Sequence, residues 1–343
     1  LLNSGFPESL SGSIDVEKDL LHFREIQTEV TQKRFRAVDF IIPVLHNNEP
    51  SAYVLIGDID EEGEGMSPLI KHLNFIQTIS GIIVVAIENQ RLFRESLRQE
   101  ALRRELELAA RMQMMLIPDN THLPCGDAIR ARGFYYPHYE VGGDYYDFMS
   151  LSESVVGFCI ADVSGKGMSA ALLMSNFQAS LRALFTVDAN LGELIRKLND
   201  LVVTNSSGER FITLFIARYD LRTRELEYVN AAHNPPVIIN KNTGQASILR
   251  QSCVGVGMLD EMPWVRTDHL TLKNPTKIIC YTDGLSELKD DSGRDVGISP
   301  VVKHFPNENT LAENIDALIN DINISNGNPR LFDDVSILAI EIP

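Results

Sequence analysis

From Phe35 to Ile59, two runs of alternating apolar residues, FRAVDFIIPV and SAYVLIGDI, flank the turn-rich stretch His46-Asn47-Asn48-Glu49-Pro50. This pattern predicts an antiparallel hairpin. The acidic, glycine-containing segment Asp58 to Gly65 reads as a solvated loop. Between Pro68 and Pro118 there is no other proline and Gly81 is the only glycine, which predicts one long helix. Within it Ile76, Ile79, Ile83, Ala86, Gln90, Phe93 and Leu97 follow a three-then-four spacing, a stripe suited to pairing with a second helix. An overlapping stripe runs through Phe75, Ile79, Ile82, Ala86, Asn89 and Phe93. The first places Gln90 in the seam and the second Asn89, and a polar residue there favours one register by meeting its twin. The competing reading is a core helix with both amides in solvent. The stripe breaks at Arg98 to Glu105 and resumes shifted with Leu108, Met112 and Met115, which marks either a mechanical joint or ordinary bending.

After Pro118 the texture changes to short β-branched runs separated by Gly, Asp and Asn: VVGFCIADV, FITLFIARYD, LEYVNAAH, PPVIIN, KIICYTDG and VSILAIEI. Helical periodicity occupies Met168 to Val187, Leu191 to Val203 and Leu311 to Ile322. Strands in antiparallel series with helices grouped in two places predict an α+β layer fold, not alternating βαβ units.

Composition narrows the function. A chain of 343 residues has room for about two domains, and 44% apolar side chains exclude disorder. With 47 carboxylates against 31 Lys plus Arg, the net charge of −16 opposes binding to nucleic-acid backbones or anionic lipid and suits divalent cations. The longest strongly apolar run, Ile82 to Ile87, is too short to span a bilayer, and the opening residues lack a signal-peptide pattern. Four scattered cysteines, Cys125, Cys159, Cys253 and Cys280, suggest neither a disulfide framework nor a zinc site; the expected compartment is the reducing cytoplasm. Opening on Leu1, the sequence reads as one whose start lies upstream.

Acidic residues stand at strand ends beside glycine or a second acid: Asp144 in VGGDYYDF, Asp162 in IADVSGKG, Asp283 in YTDGLSEL, and Asp333 with Asp334 in FDDVSIL. A carboxylate at the end of a buried strand is costly unless hydrogen-bonded, paired or bound to a cation, and basic residues near these segments are few. A shared hard cation, Mg²⁺ or Mn²⁺, is the simplest solution for an all-oxygen set. One Asp-Gly pair alone would be a turn; the set carries the reading. Ser164-Gly165-Lys166-Gly167 fails as a phosphate loop because Ile160 and Gly167 stand where Gly and Ser or Thr are required. His233 reads as a loop anchor more readily than as a base or metal ligand. Ser164 and Ser286 lack a nucleophile elbow, and Tyr145-Tyr146 most simply pack the strand against a helix.

The ordered motifs EVGGDYYDF, DVSGKGMSAALLM, RFITLF, YVNAAHNPP, YTDGLSEL and DDVSIL resemble those of bacterial metal-dependent serine/threonine phosphatases of the protein phosphatase 2C-like superfamily, in the sporulation stage II protein E and sigma-regulator branch. The resemblance implies two stacked antiparallel sheets flanked by helices. It implies removal of phosphate from phosphoserine or phosphothreonine on a protein, commonly an anti-sigma factor antagonist of the STAS type, with two Mn²⁺ or Mg²⁺ ions. Carried over by position, Asp144, Asp162 and the Val163 carbonyl hold the bridging pair, Asp283 and Asp333 complete the second ion, Asp334 is a further candidate ligand, and Asp147 is an outer partner. Ser164 stands where eukaryotic relatives have His, and Tyr139 where a phosphate-clamping Arg is expected, so the proton donor is unassigned. Ala232 replaces the Gly usual in NAGHNPP, a change expected to be tolerated. Phe35 to Ile59 with the following helix is similar to the C-terminal part of a GAF-type sensor. The organisation implied is a partial sensor at 1–70, a helical linker at 71–117 that forms a homodimer if its stripe pairs, and a phosphatase domain at 118–343. A non-catalytic signalling scaffold on the same surface is the alternative.

Overall fold

Alternating apolar runs become antiparallel strands throughout the computed structural model, which describes residues 16–28, 38–46, 49–57, 72–138, 141–289, 293–324 and 333–343. Contacts divide the chain into two units, Leu1–Arg103 and Arg104–Pro343.

In the first unit β1 (Phe40–His46) pairs with β2 (Glu49–Ile56), as the hairpin pattern predicts, with Phe40 opposite Ile56 and Pro43 opposite Tyr53. Residues 47–48 and the expected loop at 58–65 lie outside the described residues. Strand alternation separates two small cores: Ile41 packs with Leu20 and Val38, while Phe40 and Ile42 pack with Leu73. Leu73 opens α1 (Leu73–Met114), a continuous helix of 42 residues. Its first turns seat on the hairpin, where Gln77 Nε2 donates to Pro43 O at 2.7 Å. Farther along, Ile79, Ile83, Phe93 and Leu97 are exposed, as are Asn89 and Gln90.

The C-terminal part of α1 departs from the predicted stripe. Leu108, Met112 and Met115 are exposed, while Leu106, Ala109 and Ala110 are half-buried and Gln113 is buried. The inward row is therefore rotated and ends on an amide, for a reason that lies in the loop it meets.

The second unit stacks two five-stranded antiparallel sheets. The first sheet has the order β10-β7-β6-β5-β4, built from β4 (Tyr145–Ser150), β5 (Val155–Val163), β6 (Ile212–Asp220), β7 (Glu225–Ala231) and β10 (Asp268–Thr271). The second has the order β3-β12-β11-β8-β9, built from β3 (Arg130–Tyr136), β8 (Val237–Asn240), β9 (Ala246–Ile248), β11 (Thr276–Tyr281) and β12 (Val335–Ile342). Ile278, Cys280, Leu338 and Ile340 join the core shared with the first sheet. Their neighbours Ile279, Tyr281, Ile337 and Ala339 join a second core with α5 (Ser299–His304) and α6 (Leu311–Ile322). Both faces of the second sheet are thus covered, the period-2 consequence of continuous apolar strands. α2 (Met168–Leu184) and α3 (Leu191–Ser206) contribute to the first core.

Helix α2 ends before the predicted Val187 because Phe185 leaves the helix and buries itself. α3 runs past Val203 to Ser206, where Ser207 and Gly208 turn into the left-handed region at φ 52° and 74°. α6 begins where predicted because Thr310 and Glu313 form a reciprocal capping box. All four cysteines are free: Cys125 is exposed, and Cys159, Cys253 and Cys280 are buried. Among the described residues no helix is long and apolar enough to cross a membrane.

Candidate active site

The sheet topology gathers the acidic motifs. β4 begins just after Asp144 and its antiparallel neighbour β5 ends at Asp162-Val163, so both lie at one end of the first sheet. β12 begins just after Asp333-Asp334 and its antiparallel neighbour β11 ends just before Thr282-Asp283, so these lie at one end of the second. Hydroxyls join the two ends: Asp144 Oδ2 accepts from Thr282 Oγ1 at 2.7 Å and from Ser336 Oγ at 2.6 Å. Thr282 Oγ1 in turn accepts from Ser336 N at 3.0 Å.

The electrostatics reflect this convergence. Burial, then the Asp162 and Asp334 charges, push the Asp144 carboxyl far above the usual carboxylate range. Burial pushes Asp162 up to about 7, reinforced by Asp283, Asp333 and Asp334. Asp283, which opens the short helix α4 (Asp283–Ser286), is raised to about 6 by burial and then by Asp333 and Glu287. Asp334 is raised mainly by burial. Its oxygens accept from His138 N at 2.7 Å and Gly143 N at 2.8 Å. Asp333 is more open and pairs with Lys166 Nζ at 2.7 Å. The Val163 carbonyl lies against the glycine loop, 2.9 Å from where a Cβ on Gly143 would stand, so only glycine lets the two backbones approach.

Among the described residues no three aspartate, glutamate, histidine or cysteine side chains form a ready-made metal shell. Asp144 is turned toward hydroxyls and Asp333 toward Lys166. The donors nevertheless suit a hard divalent cation: they are all oxygen, and their mutual repulsion is what positive charge would relieve.

Other predicted positions fall elsewhere. Asp147 is not an outer partner of this site. It shares the face of Tyr145 on β4, is buried, and binds Arg182 of α2 through Nε at 2.7 Å and Nη2 at 2.9 Å, with the Tyr145 hydroxyl as a third partner. Tyr146 faces the opposite way, toward Gly133 of β3 and the Pro118 carbonyl, so only Tyr145 follows the expected packing toward a helix. His233 anchors its loop: Nδ1 lies 2.9 Å from Thr213 Oγ1, its amide donates to Asn230 Oδ1, and burial pushes its pKa down to about 4. Ala232, beside it, adopts φ 54°, a conformation that costs a non-glycine residue about 1 kcal/mol. Ser286 is bound to Asn234, and Ser164 receives the amide of Phe211. Tyr139 and Glu140 lie outside the described residues.

Several contributors escaped sequence reasoning. Thr282 and Ser336 each stand within two residues of a candidate aspartate, and a hydroxyl in that position is the signal that would have found them. Arg210 clamps the Ser164–Gly167 loop by donating to the Ser164 carbonyl and to Ser169 Oγ.

Two stacked antiparallel sheets flanked by helices are the fold this chain shares with solved protein phosphatase 2C-like domains. The SiaA-PP2C domain of Pseudomonas aeruginosa matches with a TM-score of 0.60 at 19% identity, covering 71% of this chain and 98% of that one. RsbX, crystallised in complex with magnesium, matches with a TM-score of 0.51 at 14% identity over 65% and 99% of the two chains. The chain belongs to the stage II sporulation protein E (SpoIIE) family, whose family model matches residues 152–343. Phosphoserine phosphatase RsbU of Bacillus subtilis (strain 168) is 28% identical over 195 residues, 57% of this chain and 57% of RsbU. The chain spans about half the length of the curated relatives it matches.

Proposed function

We propose that residues 104–343 form a metal-dependent protein-serine/threonine phosphatase that removes phosphate from phosphoserine or phosphothreonine on a partner protein. The observation that carries this reading is the buried carboxylate cluster, in which Asp144, Asp162, Asp283 and Asp334 are all raised first by burial and then by neighbouring carboxylates, Asp333 among them. It is supported by the similarity to the phosphoserine phosphatase RsbU and by the magnesium in the RsbX complex.

Asp144, Asp162, the Val163 carbonyl, Asp283 and Asp333 would hold two Mn²⁺ or Mg²⁺ ions. When bound, such ions lower the pKa of a water for in-line attack and neutralise charge on the phosphoryl oxygens. The residues supply orientation: Thr282 and Ser336 fix the rotamer of Asp144, and Arg210 holds the loop that follows Asp162. Asp334, with both oxygens accepting amide hydrogens, serves first to tie the glycine loop to β12. His233, whose pKa burial lowers to about 4, serves in this reading as a loop anchor through Thr213 and Asn230.

The expected substrate is a phosphorylated STAS-type anti-sigma factor antagonist. Control by the preceding GAF-like unit through α1 belongs to the same reading, as does a homodimer through the exposed row Ile79, Ile83, Phe93 and Leu97. Free cysteines support a cytoplasmic setting.

The test is hydrolysis of an aryl phosphate and of a phosphoserine peptide by the full chain, with Mn²⁺ and with chelator. Turnover with Mn²⁺ that falls to background with chelator is expected. Phosphopeptide binding without hydrolysis under either condition would leave the scaffold reading in its place.

A further inference from the structure

The loop between β5 and α2 places a cation beside the acidic cluster. Lys166 Nζ lies 2.7 Å from Asp333 Oδ2, and both side chains are open to solvent, at 41% and 38% exposure. The lysine charge also reaches Asp283, where it opposes the rise that burial and Asp333 produce. Lys166 therefore stands at the open side of the site, whereas Asp144 is buried and closed in by Thr282 and Ser336.

The loop that carries it is fixed at its base. Ser164 N donates to Phe211 O at 2.9 Å, Ser164 Oγ accepts from Phe211 N at 2.9 Å, and Arg210 Nη1 donates to the Ser164 carbonyl. Gly165 follows at φ 87°, where a Cβ would lie 1.8 Å from Arg210 Nη1. Arg210 is committed to this scaffold, since its Nη2 also donates to Ser169 Oγ at 2.7 Å. What can adjust is the lysine side chain, a flexible stem whose ammonium donates to oxygens in several directions.

Charge decides what that ammonium serves. Asp333 is a proposed ligand, and a carboxylate whose charge is taken up by a divalent ion attracts a second cation less. The phosphoryl group of the substrate is an anion entering a site crowded with Asp144, Asp162, Asp283, Asp333, Asp334 and Glu287, on a chain of net charge −16. Two divalent ions do not outweigh those carboxylates once all are ionised. A further positive group at the entrance supplies what the incoming anion lacks.

Resting on the phosphatase reading above, we infer that Lys166 is a substrate-binding residue: it exchanges Asp333 for the phosphoryl oxygens of the phosphorylated side chain, and holds inorganic phosphate once the ester is cleaved. A lysine that only stapled its loop to Asp333 would affect melting and leave phosphate affinity alone.

Inorganic phosphate is titrated by calorimetry into the full chain at saturating Mn²⁺, aryl phosphate hydrolysis is followed in parallel, and Mn²⁺ is titrated into the metal-free protein. Lys166→Met keeps the stem and removes the charge. It is expected to weaken phosphate binding and raise KM for the ester by roughly ten-fold or more, the effect of losing one charge-assisted hydrogen bond. Mn²⁺ should bind at least as tightly as in the wild type, because no ammonium competes for Asp333. Lys166→Arg keeps the charge and should restore most of the phosphate affinity. Lys166→Gln replaces the Met variant if that one does not fold. Unchanged phosphate affinity in a folded uncharged variant overturns the inference. So does a loss of phosphate affinity that Lys166→Arg does not restore, or one matched by an equal loss of Mn²⁺ affinity, since the lysine would then act on the ion and not on the phosphate. Wild-type protein that neither binds Mn²⁺ nor hydrolyses the ester overturns the phosphatase reading itself, and this role with it.

Discussion

If the proposed phosphatase reading holds, exchanging Asp162 for asparagine should lower Mn²⁺-dependent ester hydrolysis by about 10³-fold, the several kcal/mol that a bound cation contributes to transition-state charge. The same exchange raises the melting temperature of the metal-free protein at pH 8. The second effect follows from the site's repulsion. Asp162 titrates near 7 in the folded chain, raised first by burial and then by Asp283, Asp333 and Asp334, against an ordinary value near 3.8. Between these values the native state keeps a proton that the unfolded state has released, so stability falls as pH rises through the window and stays low above it. Without metal, the wild-type melting temperature should therefore decline from pH 4 to pH 8, and the asparagine variant should decline less. Mn²⁺ should reverse the trend in the wild type, because protons and the cation compete for the same oxygens. Differential scanning fluorimetry across pH, with and without Mn²⁺, checks both halves. Parallel decline in the two proteins would remove Asp162 from the repulsive cluster.

Removing the cation at the other acidic pocket has the opposite consequence. Arg182→Met leaves the Asp147 carboxylate, wholly buried on β4, without its bidentate partner. Breaking a buried pair from one side costs about 3 kcal/mol, taken at the low end because the guanidinium is half exposed. For a unit of this size that is a fall of about 8 °C in melting temperature. Adding Asp147→Asn to Arg182→Met should recover most of the loss, since no charge is then left unpaired. Urea denaturation of the two single variants and the double variant measures the coupling. Additive losses would show that the pair matters only through packing.

The contrast between Asp147 and Asp144 shows where sequence reasoning reached its limit. Both stand in VGGDYYDF, and both belong to acid-rich segments. On an extended strand, however, Asp147 shares the face of Tyr145, and that face meets α2, not the opposite sheet. Period 2 was available to separate them; the identity of the layer on each face was not. The local signals worked where the physics is local. Apolar periodicity predicts α6 from Leu311, where the structure shows the Thr310–Glu313 capping box, and apolar alternation predicts the strands of both sheets. The site itself depends on pairings such as Thr282 with Asp144, 138 residues apart, which no window along the chain contains. The aspartates were visible because a buried carboxylate is costly anywhere. The hydroxyls of Thr282 and Ser336 had only their closeness to the aspartates as a signal, and Gln113 had none, because Ser, Thr and Gln are ordinary in loops and helices. At the end of α1 the apolar period pointed to Leu108, Met112 and Met115, whereas the helix presents Gln113 because a glycine loop with unpaired peptide groups requires a hydrogen-bonding side chain there.

The distribution of the thiols makes the molecule ready for site-specific labelling. Burial raises Cys159 and Cys280 far above the ordinary thiol range and Cys253 to about 11, so none of these three forms an accessible thiolate at neutral pH. Cys125 alone faces solvent, on the segment between α1 and β3. A maleimide dye added to the folded protein therefore attaches at one place, without any cysteine having to be removed first, and it sits on the stretch of chain that runs from the helix into the two-sheet unit.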